Sequence, residues 1–217
     1  SSTKTLTVNK ATIPNDEITA PTAKTLTYTG QPQELVTAGS VDAQYGEMQY
    51  SLKRTTGFST EIPTKTDAGT YTVFYKVVGN NDYKDSTVKS FKVTIDPMKI
   101  NHAKFSKDIS KTYDGTAAFD LAPADKASYL TFEDAHMRPI SVPVDAYEIS
   151  DVRFVAENAD HEYVDSPDVG NKAIHFTVTF KNSNYVLQAD YDEQPALSKT
   201  YNQSGGAKFT INKATVT

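Results

Sequence analysis

The sequence contains no cysteine and no tryptophan, although it is 217 residues long. Without cysteine, disulfide bonds, thiolate metal ligands and cysteine nucleophiles are excluded. No apolar run approaches the ~20 residues that a membrane-spanning helix requires. The formal net charge is −5, and lysines are interspersed with acidic residues, so there is no basic stripe of the kind that nucleic acids bind. We therefore expect no membrane contact and no nucleic-acid partner for this segment.

One short pattern occurs near the start, in the middle and near the end of the chain. It reads LTVNKATI at residues 6–13, VTIDPMKI at residues 93–100 and FTINKATV at residues 209–216. Recurrence of one segment indicates tandem modules, and intervals of roughly 100 residues are the usual size of a domain. We expect a piece of a longer array, in which residues 1–12 are the terminal strand of a preceding module. Residues 13–98 then form a first module and residues 99–215 a second, longer one.

Most of the chain has the pattern of β-strands. Apolar side chains alternate with others along residues 71–77, 91–95 and 174–180, which is the period of two that half-buried strands show. Turn residues separate these runs, as in Gly79-Asn80-Asn81-Asp82 and Ser204-Gly205-Gly206. Only residues 123–130 suggest a helix. The predicted fold class is all-β.

The two modules share an internal order of motifs. In the first module these are Tyr28-Thr29-Gly30, Asp67-Ala68-Gly69 and Asn80-Asn81-Asp82-Tyr83; in the second they are Tyr113-Asp114-Gly115, Asp168-Val169-Gly170 and Asn182-Ser183-Asn184-Tyr185. The second module is longer mainly because of an insertion at about residues 118–167, with a smaller addition at residues 188–206. We interpret the modules as variants of one plan.

The run Asp67-Ala68-Gly69-Thr70-Tyr71 resembles the segment that opens strand F of immunoglobulin-type domains, where the tyrosine hydroxyl bonds back to the main chain. Val73 stands at the usual cysteine position, and in the second module Lys172 stands where the tyrosine should be. The resemblance implies two tandem β-sandwich-like (Ig-like) modules. Small β-grasp-like modules are the alternative.

The chain is also similar to tandem repeats of bacterial surface and secreted proteins. Leu26-Thr27-Tyr28-Thr29-Gly30-Gln31 and Asp67 to Tyr71 make the first module similar to MBG domains. Lys111-Thr112-Tyr113-Asp114-Gly115-Thr116 and Asp168-Val169-Gly170 make the second similar to YDG domains. The resemblance covers residues 13–215 and implies β-rich spacer or adhesin modules of long exported proteins. It carries over no catalytic residue and implies an extracellular or cell-surface location.

No motif in the sequence points to catalysis. The four histidines lack the spacing of a helical zinc site, and there is no glycine-rich phosphate loop. Acidic clusters at residues 82–85, 157–162 and 190–193 could offer oxygen ligands to calcium, but none has the spacing of an EF-hand. We expect no enzyme, no cofactor and no metal. The best metal candidates are Glu157, Asp160 and Glu162, with Asp165 or Asp168 as additions.

Two other chemistries remain open. Exposed aromatic side chains beside Asn and Asp could stack on sugars, and the candidates are Tyr45, Tyr50, Phe58, Tyr83, Tyr163 and Tyr191. An intramolecular isopeptide bond, as known from bacterial surface domains that resemble this class, could join Lys24 or Lys104 to Asn212. Intact mass would reveal such a bond.

These observations favour a non-catalytic structural or adhesive segment that acts as a semi-rigid spacer. Its expected partners are neighbouring modules of the same chain and host glycans or proteins, and we expect a monomer. The alternative is a carbohydrate- or protein-binding module whose site lies in the insertion at residues 118–167, which includes Met137-Arg138-Pro139-Ile140, because binding residues often lie on loops of a rigid scaffold.

Overall fold

The structure is a computed structural model that describes residues 8–122, 125–188 and 194–215. Contacts divide the chain into two compact units, Ser1–Pro97 (unit 1) and Met98–Thr217 (unit 2). The described residues are essentially all-β, which confirms the predicted fold class. Their helical segments are α1 (Lys126–Tyr129) and the short 3-10 turns Asn15–Glu17 and Val144–Ala146. The predicted helix at residues 123–130 is thus one turn long where it is described, and residues 123–124 lie outside the described part.

Unit 1 begins with short strands and ends with long ones. They are β1 (Ile18–Thr19), β2 (Thr22–Ala23), β3 (Leu26–Thr27), β4 (Gln33–Glu34), β5 (Val36–Thr37), β6 (Ser40–Val41), β7 (Gly46–Ser51), β8 (Thr64–Lys65), β9 (Gly69–Gly79) and β10 (Lys89–Asp96). The main sheet has the order β3-β10-β9-β7, and the other strands form two-stranded pairs. Val73, Val77, Val93 and Ile95 are buried on one face of β9 and β10, as their alternation predicts.

Among the described residues, unit 2 has one strand more than unit 1. They are β11 (Met98–Ile100), β12 (His102–Phe105), β13 (Ile109–Thr112), β14 (Leu130–Glu133), β15 (Pro139–Ile140), β16 (Tyr147–Glu157), β17 (Tyr163–Asp165), β18 (Gly170–Phe180), β19 (Tyr185–Leu187), β20 (Ser198–Gln203) and β21 (Phe209–Asn212). One sheet has the order β13-β21-β18-β16-β17, with β20 also paired to β18, and a second has the order β12-β14-β15.

Aromatic side chains fill the core of unit 2. Phe105 of β12 meets Phe176 of β18 edge-to-face, with ring centroids 4.8 Å apart, and Phe209 of β21 lies 6.3 Å from Phe105. Phe132 of β14 packs on Phe180 of β18 at 5.9 Å. Edge-to-face ring pairs stabilise beyond the area that they bury. The sheet that contains β12 and β14 is therefore joined to the larger sheet through phenylalanine rings.

Both units pair an early strand with their last strand in parallel. In unit 1, Leu26 of β3 pairs with Ile95 of β10; in unit 2, Ile109 of β13 pairs with Phe209 of β21. The start of each unit also pairs in parallel with the tyrosine of the Asn-x-x-Tyr turn. Ala11 bridges Tyr83, and Met98 pairs with Tyr185. Residues 6–7 and 216 of the repeated pattern lie outside the described part.

The insertion predicted at residues 118–167 contributes strands to the sheets of unit 2 as well as loops. It contains β14, β15, β17 and the 11-residue strand β16, which lies beside β18 as β7 lies beside β9. The addition at residues 188–206 contributes β20. One end of β18 pairs with β21 and the other with β20, whereas β10 alone covers the matching side of β9.

The tyrosine hydrogen bond that the immunoglobulin resemblance implies is present in unit 1. The Tyr71 hydroxyl donates to the Asp67 carbonyl oxygen at 2.7 Å. In unit 2, Lys172 at the matching position pairs with Phe209 in the sheet. The Ig-like arrangement and its β-grasp-like alternative stay predictions.

The Tyr-Asp-Gly motif forms a turn that is stabilised by an ion pair between Asp114 and Lys111. One carboxylate oxygen of Asp114 accepts hydrogen bonds from the Thr116 N–H and hydroxyl, both at 2.9 Å, and lies 2.8 Å from Lys111 Nζ. The ammonium of Lys111, followed by the two Thr116 donors, lowers the pKa of Asp114 to about 2. Gly115 has φ +82°, a conformation that glycine adopts without steric cost. The motif is therefore explained by local structure.

Candidate functional site

Unit 2 contains a groove between strands β12 and β20. It has a volume of about 310 Å³, and its lining is His102, Ala103, Lys104, Glu133, Met137, Tyr201, Asn202, Gln203 and Ser204. Glu133 and Met137 belong to the insertion of unit 2. We call this feature the β12–β20 groove, and it is the candidate functional site.

The walls of the groove are the edges of two sheets. In the described part of the chain, β12 pairs with β14 on one side and with no strand on the other, and β20 pairs with β18 alone. Strand edges carry main-chain N–H and C=O groups that can pair with a further strand. The groove therefore presents main-chain hydrogen-bonding groups as well as side chains.

Gln203 joins the two edges at one end of the groove. The Phe105 N–H donates to Gln203 Oε1 at 2.8 Å, and Gln203 Nε2 donates to the Phe105 carbonyl oxygen at 2.9 Å. Gln203 Nε2 also donates to the Gly205 carbonyl oxygen at 2.8 Å. The amide side chain thus makes the pair of bonds that a main-chain peptide group of a neighbouring strand would make.

The hairpin between β14 and β15 forms one rim of the groove, and its tip is held by Asp134. One Asp134 oxygen accepts the N–H groups of His136 (2.8 Å) and Arg138 (2.9 Å), and the other accepts Arg138 Nε at 2.7 Å. The Arg138 N–H, with smaller contributions from the His136 N–H and the Arg138 guanidinium, holds the pKa of Asp134 below its ordinary value. Met137 has φ +60° and is 57% exposed. A non-glycine residue in this conformation is strained, so the surrounding bonds fix an apolar side chain at the rim.

Glu133 lines the groove beside Lys104. Lys104 Nζ lies 2.7 Å from Glu133 Oε1, and the Glu133 side chain is only 14% exposed. Among the described residues, Glu133 Oε2 has no hydrogen-bond partner and is covered from solvent. A buried carboxylate oxygen without a donor is costly, so a donor supplied to this atom would stabilise the groove.

A polar network adjoins the groove through Asn202. His175 Nδ1 lies 2.7 Å from Asn202 Oδ1, and its Nε2 lies 3.1 Å from Arg153 NH2 and 3.2 Å from Asp151 Oδ2. Asp151 has φ +54° at the irregularity of β16 between Ser150 and Arg153. Arg153 also pairs with Asp165 at 2.9 Å. Because a guanidinium occupies its centre, this network is suited to fixing β16, β17, β18 and β20 rather than to holding a cation.

The metal candidates lie in the turn between β16 and β17. Glu157 Oε1 lies 2.6 Å from His161 Nδ1, and Asn158 Oδ1 accepts the N–H groups of Asp160 and Glu162, both at 2.9 Å. Within the described ranges, no three His, Asp or Glu side chains are grouped as a metal site. The candidate cluster at residues 190–193, which includes Tyr191, lies outside the described residues.

Most of the aromatic candidates for sugar stacking are engaged within the protein. Tyr83 packs edge-to-face on Tyr45 with centroids 5.0 Å apart, and the Tyr50 hydroxyl accepts the Gly39 N–H at 2.9 Å. Lys76 Nζ lies 5.3 Å from the ring of Phe58. Tyr163 is half-buried, and its main chain pairs with Glu157 in the β16–β17 ladder.

The lysines considered for an isopeptide bond have ionic partners. Lys24 Nζ lies 2.7 Å from Glu34, and Lys104 Nζ lies 2.7 Å from Glu133. Asn212 is exposed and pairs with Thr112 in the parallel ladder of β13 and β21. Within unit 2, Lys104 is half-buried and Asn212 is exposed, whereas such a bond needs both groups in a shared buried site.

Sequence reasoning named Met137 and Lys104 for other reasons and missed the β12–β20 groove itself. Phe105 and Gln203 are 98 positions apart, and no local pattern indicates that their strands are neighbours.

No helix in the described part of the chain is long and apolar enough to cross a bilayer. Searches of family models and of curated proteins found no match for this chain. The fold defines an all-β protein of two units, and the MBG and YDG resemblance stays a prediction.

Proposed function

We propose that the chain is a non-catalytic structural or adhesive segment of a bacterial cell-surface or secreted protein, and that it acts as a semi-rigid spacer. The observation that supports this most is the connection between the units. Pro97 alone separates Asp96, the last residue of β10, from Met98, the first residue of β11. Each strand is paired inside its own unit, so the connection contains one residue outside a strand.

A connection of this kind is semi-rigid because its backbone has few accessible conformations. Proline fixes its own φ near −65° and restricts the residue before it to extended conformations. A flexible linker needs several residues of Gly- and Ser-rich composition, which are absent here. The neighbouring modules of the chain are its first partners in this role, with host glycans or proteins as external ones.

Alignment of the units by NMR tests the spacer function. Residual dipolar couplings of the whole chain are expected to fit one alignment tensor for both units. Insertion of Gly-Gly-Ser-Gly-Gly-Ser between Asp96 and Pro97 is expected to require two different tensors, with unchanged couplings inside each unit. Two unrelated tensors in the parent chain would contradict a semi-rigid spacer.

A second function is favoured by the β12–β20 groove. Its residues Glu133 and Met137 belong to the insertion in which a carbohydrate- or protein-binding site was predicted. Tyr201 is the aromatic residue of the groove lining that could contact a sugar. Its ring stacks on Phe176, with centroids 5.2 Å apart and planes at 19°. Because that ring packs on the core of unit 2, we favour a protein ligand over a carbohydrate. Chemical-shift mapping with peptides and with monosaccharides distinguishes the two classes.

A further inference from the structure

We propose that the β12–β20 groove binds an extended peptide of a partner protein by strand addition, with the peptide main chain paired to the edges of β12 and β20. This proposal rests on the second, protein-binding function and is independent of the spacer function. Strand addition is supported by the direction in which the main-chain N–H and C=O groups of the two edges point.

The first edge is that of β12. The Ser106 N–H donates to Tyr129 on the side of β14, whereas the N–H and C=O of Phe105 bond to Gln203 on the opposite side. Main-chain groups of alternate residues along a strand point to opposite edges. The N–H and C=O of Ala103 therefore point, like those of Phe105, toward the groove.

The second edge is that of β20. The Phe180 N–H donates to the Leu197 carbonyl oxygen at 2.7 Å, and the register then continues without a shift from Thr179–Ser198 to Ile174–Gln203. The same alternation directs the main chain of Tyr201 and Gln203 toward β18. The N–H and C=O of Asn202 therefore point away from β18, and Asn202 and Ala103 both line the groove.

An extended peptide in the groove would pair with Ala103 on one side and with Asn202 on the other, because its own main-chain groups alternate between two sides. Peptides that add to a sheet edge gain affinity from main-chain bonds and specificity from pockets for alternate side chains. Gln203 already makes such bonds to Phe105 with its side chain, which shows that the edge of β12 accepts an amide partner. Unpaired strand edges favour aggregation of proteins. Here the edge of β12 lies beside a groove of which the β14–β15 hairpin forms one rim.

The groove also indicates a side-chain preference. Glu133 Oε2 lacks a donor among the described residues, and Lys104 occupies only the other oxygen of that carboxylate. A Ser, Thr or Lys of the peptide would supply the missing donor after a shift of the Lys104 side chain. Exposed Met137 offers a flexible apolar contact at the rim, as methionines of adaptable binding surfaces do.

The test uses a phage-displayed library of random heptapeptides selected on the whole chain. Enriched peptides are resynthesised, and their affinity is measured by isothermal titration with the parent chain, Asn202→Pro and Asn202→Ala. Both variants lose the side-chain bond to His175, but only the proline variant loses the N–H that faces the groove. Proline is tolerated where an edge N–H points away from the ladder.

Strand addition predicts that Asn202→Pro binds the selected peptides about tenfold or more weakly than Asn202→Ala does, because only the proline variant lacks the N–H that faces the groove; a factor of ten corresponds to about 1.4 kcal/mol. N-methylation of alternate peptide bonds is expected to weaken binding in either register, because the N–H groups of alternate peptide residues pair with β12 on one side and with β20 on the other. Enriched peptides should carry Ser, Thr or Lys at one fixed position, and Glu133→Gln should relax that preference.

Hydrogen exchange provides a readout that needs no variant. The amides of Ala103 and Asn202 are expected to exchange faster than those of Lys104 and Tyr201 in the free chain, and to become protected when a selected peptide is added. Binding that is equal in both Asn202 variants and leaves these two amides unprotected would overturn strand addition while retaining a binding function. The absence of any enriched peptide would overturn both, and the alignment test of the spacer would be unaffected.

Discussion

The replacement Gln203→Ala should destabilise unit 2 by an amount that the geometry allows us to work out. The side chain makes three hydrogen bonds to main-chain groups, at 2.8, 2.9 and 2.8 Å. A net contribution of about 0.5–1.5 kcal/mol for each predicts a loss of about 3 kcal/mol of unfolding free energy. Phe105 is 1% exposed, so its N–H and C=O would depend on water entering the groove.

The assay is urea unfolding followed by the amide resonances of unit 2, which separate this unit from unit 1. With a denaturant slope of about 2 kcal/mol per molar, the midpoint should fall by about 1.5 M. Gln33→Ala, followed by the amide resonances of unit 1, is the control for a single glutamine bond, because Gln33 Nε2 makes one bond, to the Thr27 carbonyl oxygen at 3.0 Å. Its expected loss is about 1 kcal/mol or less.

Gln203→Glu tests whether the donor half of the amide matters. The carboxylate can accept the Phe105 N–H, but when ionised it cannot donate to the Phe105 and Gly205 carbonyl oxygens. Its protonated form can donate, so its folded pKa should be raised above the unfolded value of about 4.3. The stability contributed by that proton is present below the unfolded pKa and is lost as pH rises through the folded pKa. A loss below about 0.5 kcal/mol for Gln203→Ala, or a pH-independent deficit for Gln203→Glu, would refute the reasoning.

Three further predictions concern other parts of the chain. Tyr71→Phe removes the bond to the Asp67 carbonyl and should cost about 1 kcal/mol in thermal unfolding; no shift of the midpoint would contradict a role for this bond. The folded pKa of Asp114 is lowered from 3.8 to about 2, so the stability it contributes is present above pH 3.8 and is lost as pH falls toward 2. Acid titration by circular dichroism should therefore show a smaller loss in that window for Asp114→Asn. At Asp151, which has φ +54°, replacement by Ala should be less stable than replacement by Gly by about 1 kcal/mol in urea, and equal values would argue against backbone strain there.

The sequence predicted the strands well because their evidence is local. The alternation along residues 71–77 and 174–180 reports directly which side chains face the core, and the buried Val73, Val77, Phe176 and Val178 follow it. The tyrosine bond at Tyr71 was likewise readable, because its donor and acceptor are four residues apart.

The candidate site could not be predicted in the same way. The insertion was interpreted as loops that could carry a ligand site, but it supplies β16, which lies between β18 and β17 in the larger sheet. Its apolar residues are interrupted at Asp151, where the register shifts, and this irregularity obscures the period of two. The groove itself depends on Phe105 and Gln203, whose contact joins distant parts of the sequence.

The sequence by itself therefore determined that this is an all-β chain without disulfides, that its motifs follow one order twice, and that Asp114-Gly115 makes a turn. These properties depend on residue type and on neighbours within a few positions. Only the tertiary structure decided that, within the described ranges, β12 and β20 leave two edges beside one groove and Glu133 has a carboxylate oxygen without a donor, and that Gln203 joins the edges at one end. The physical reason is that strand pairing is specified by the burial of whole faces, so its consequences for main-chain groups at the edges appear only when distant strands have packed.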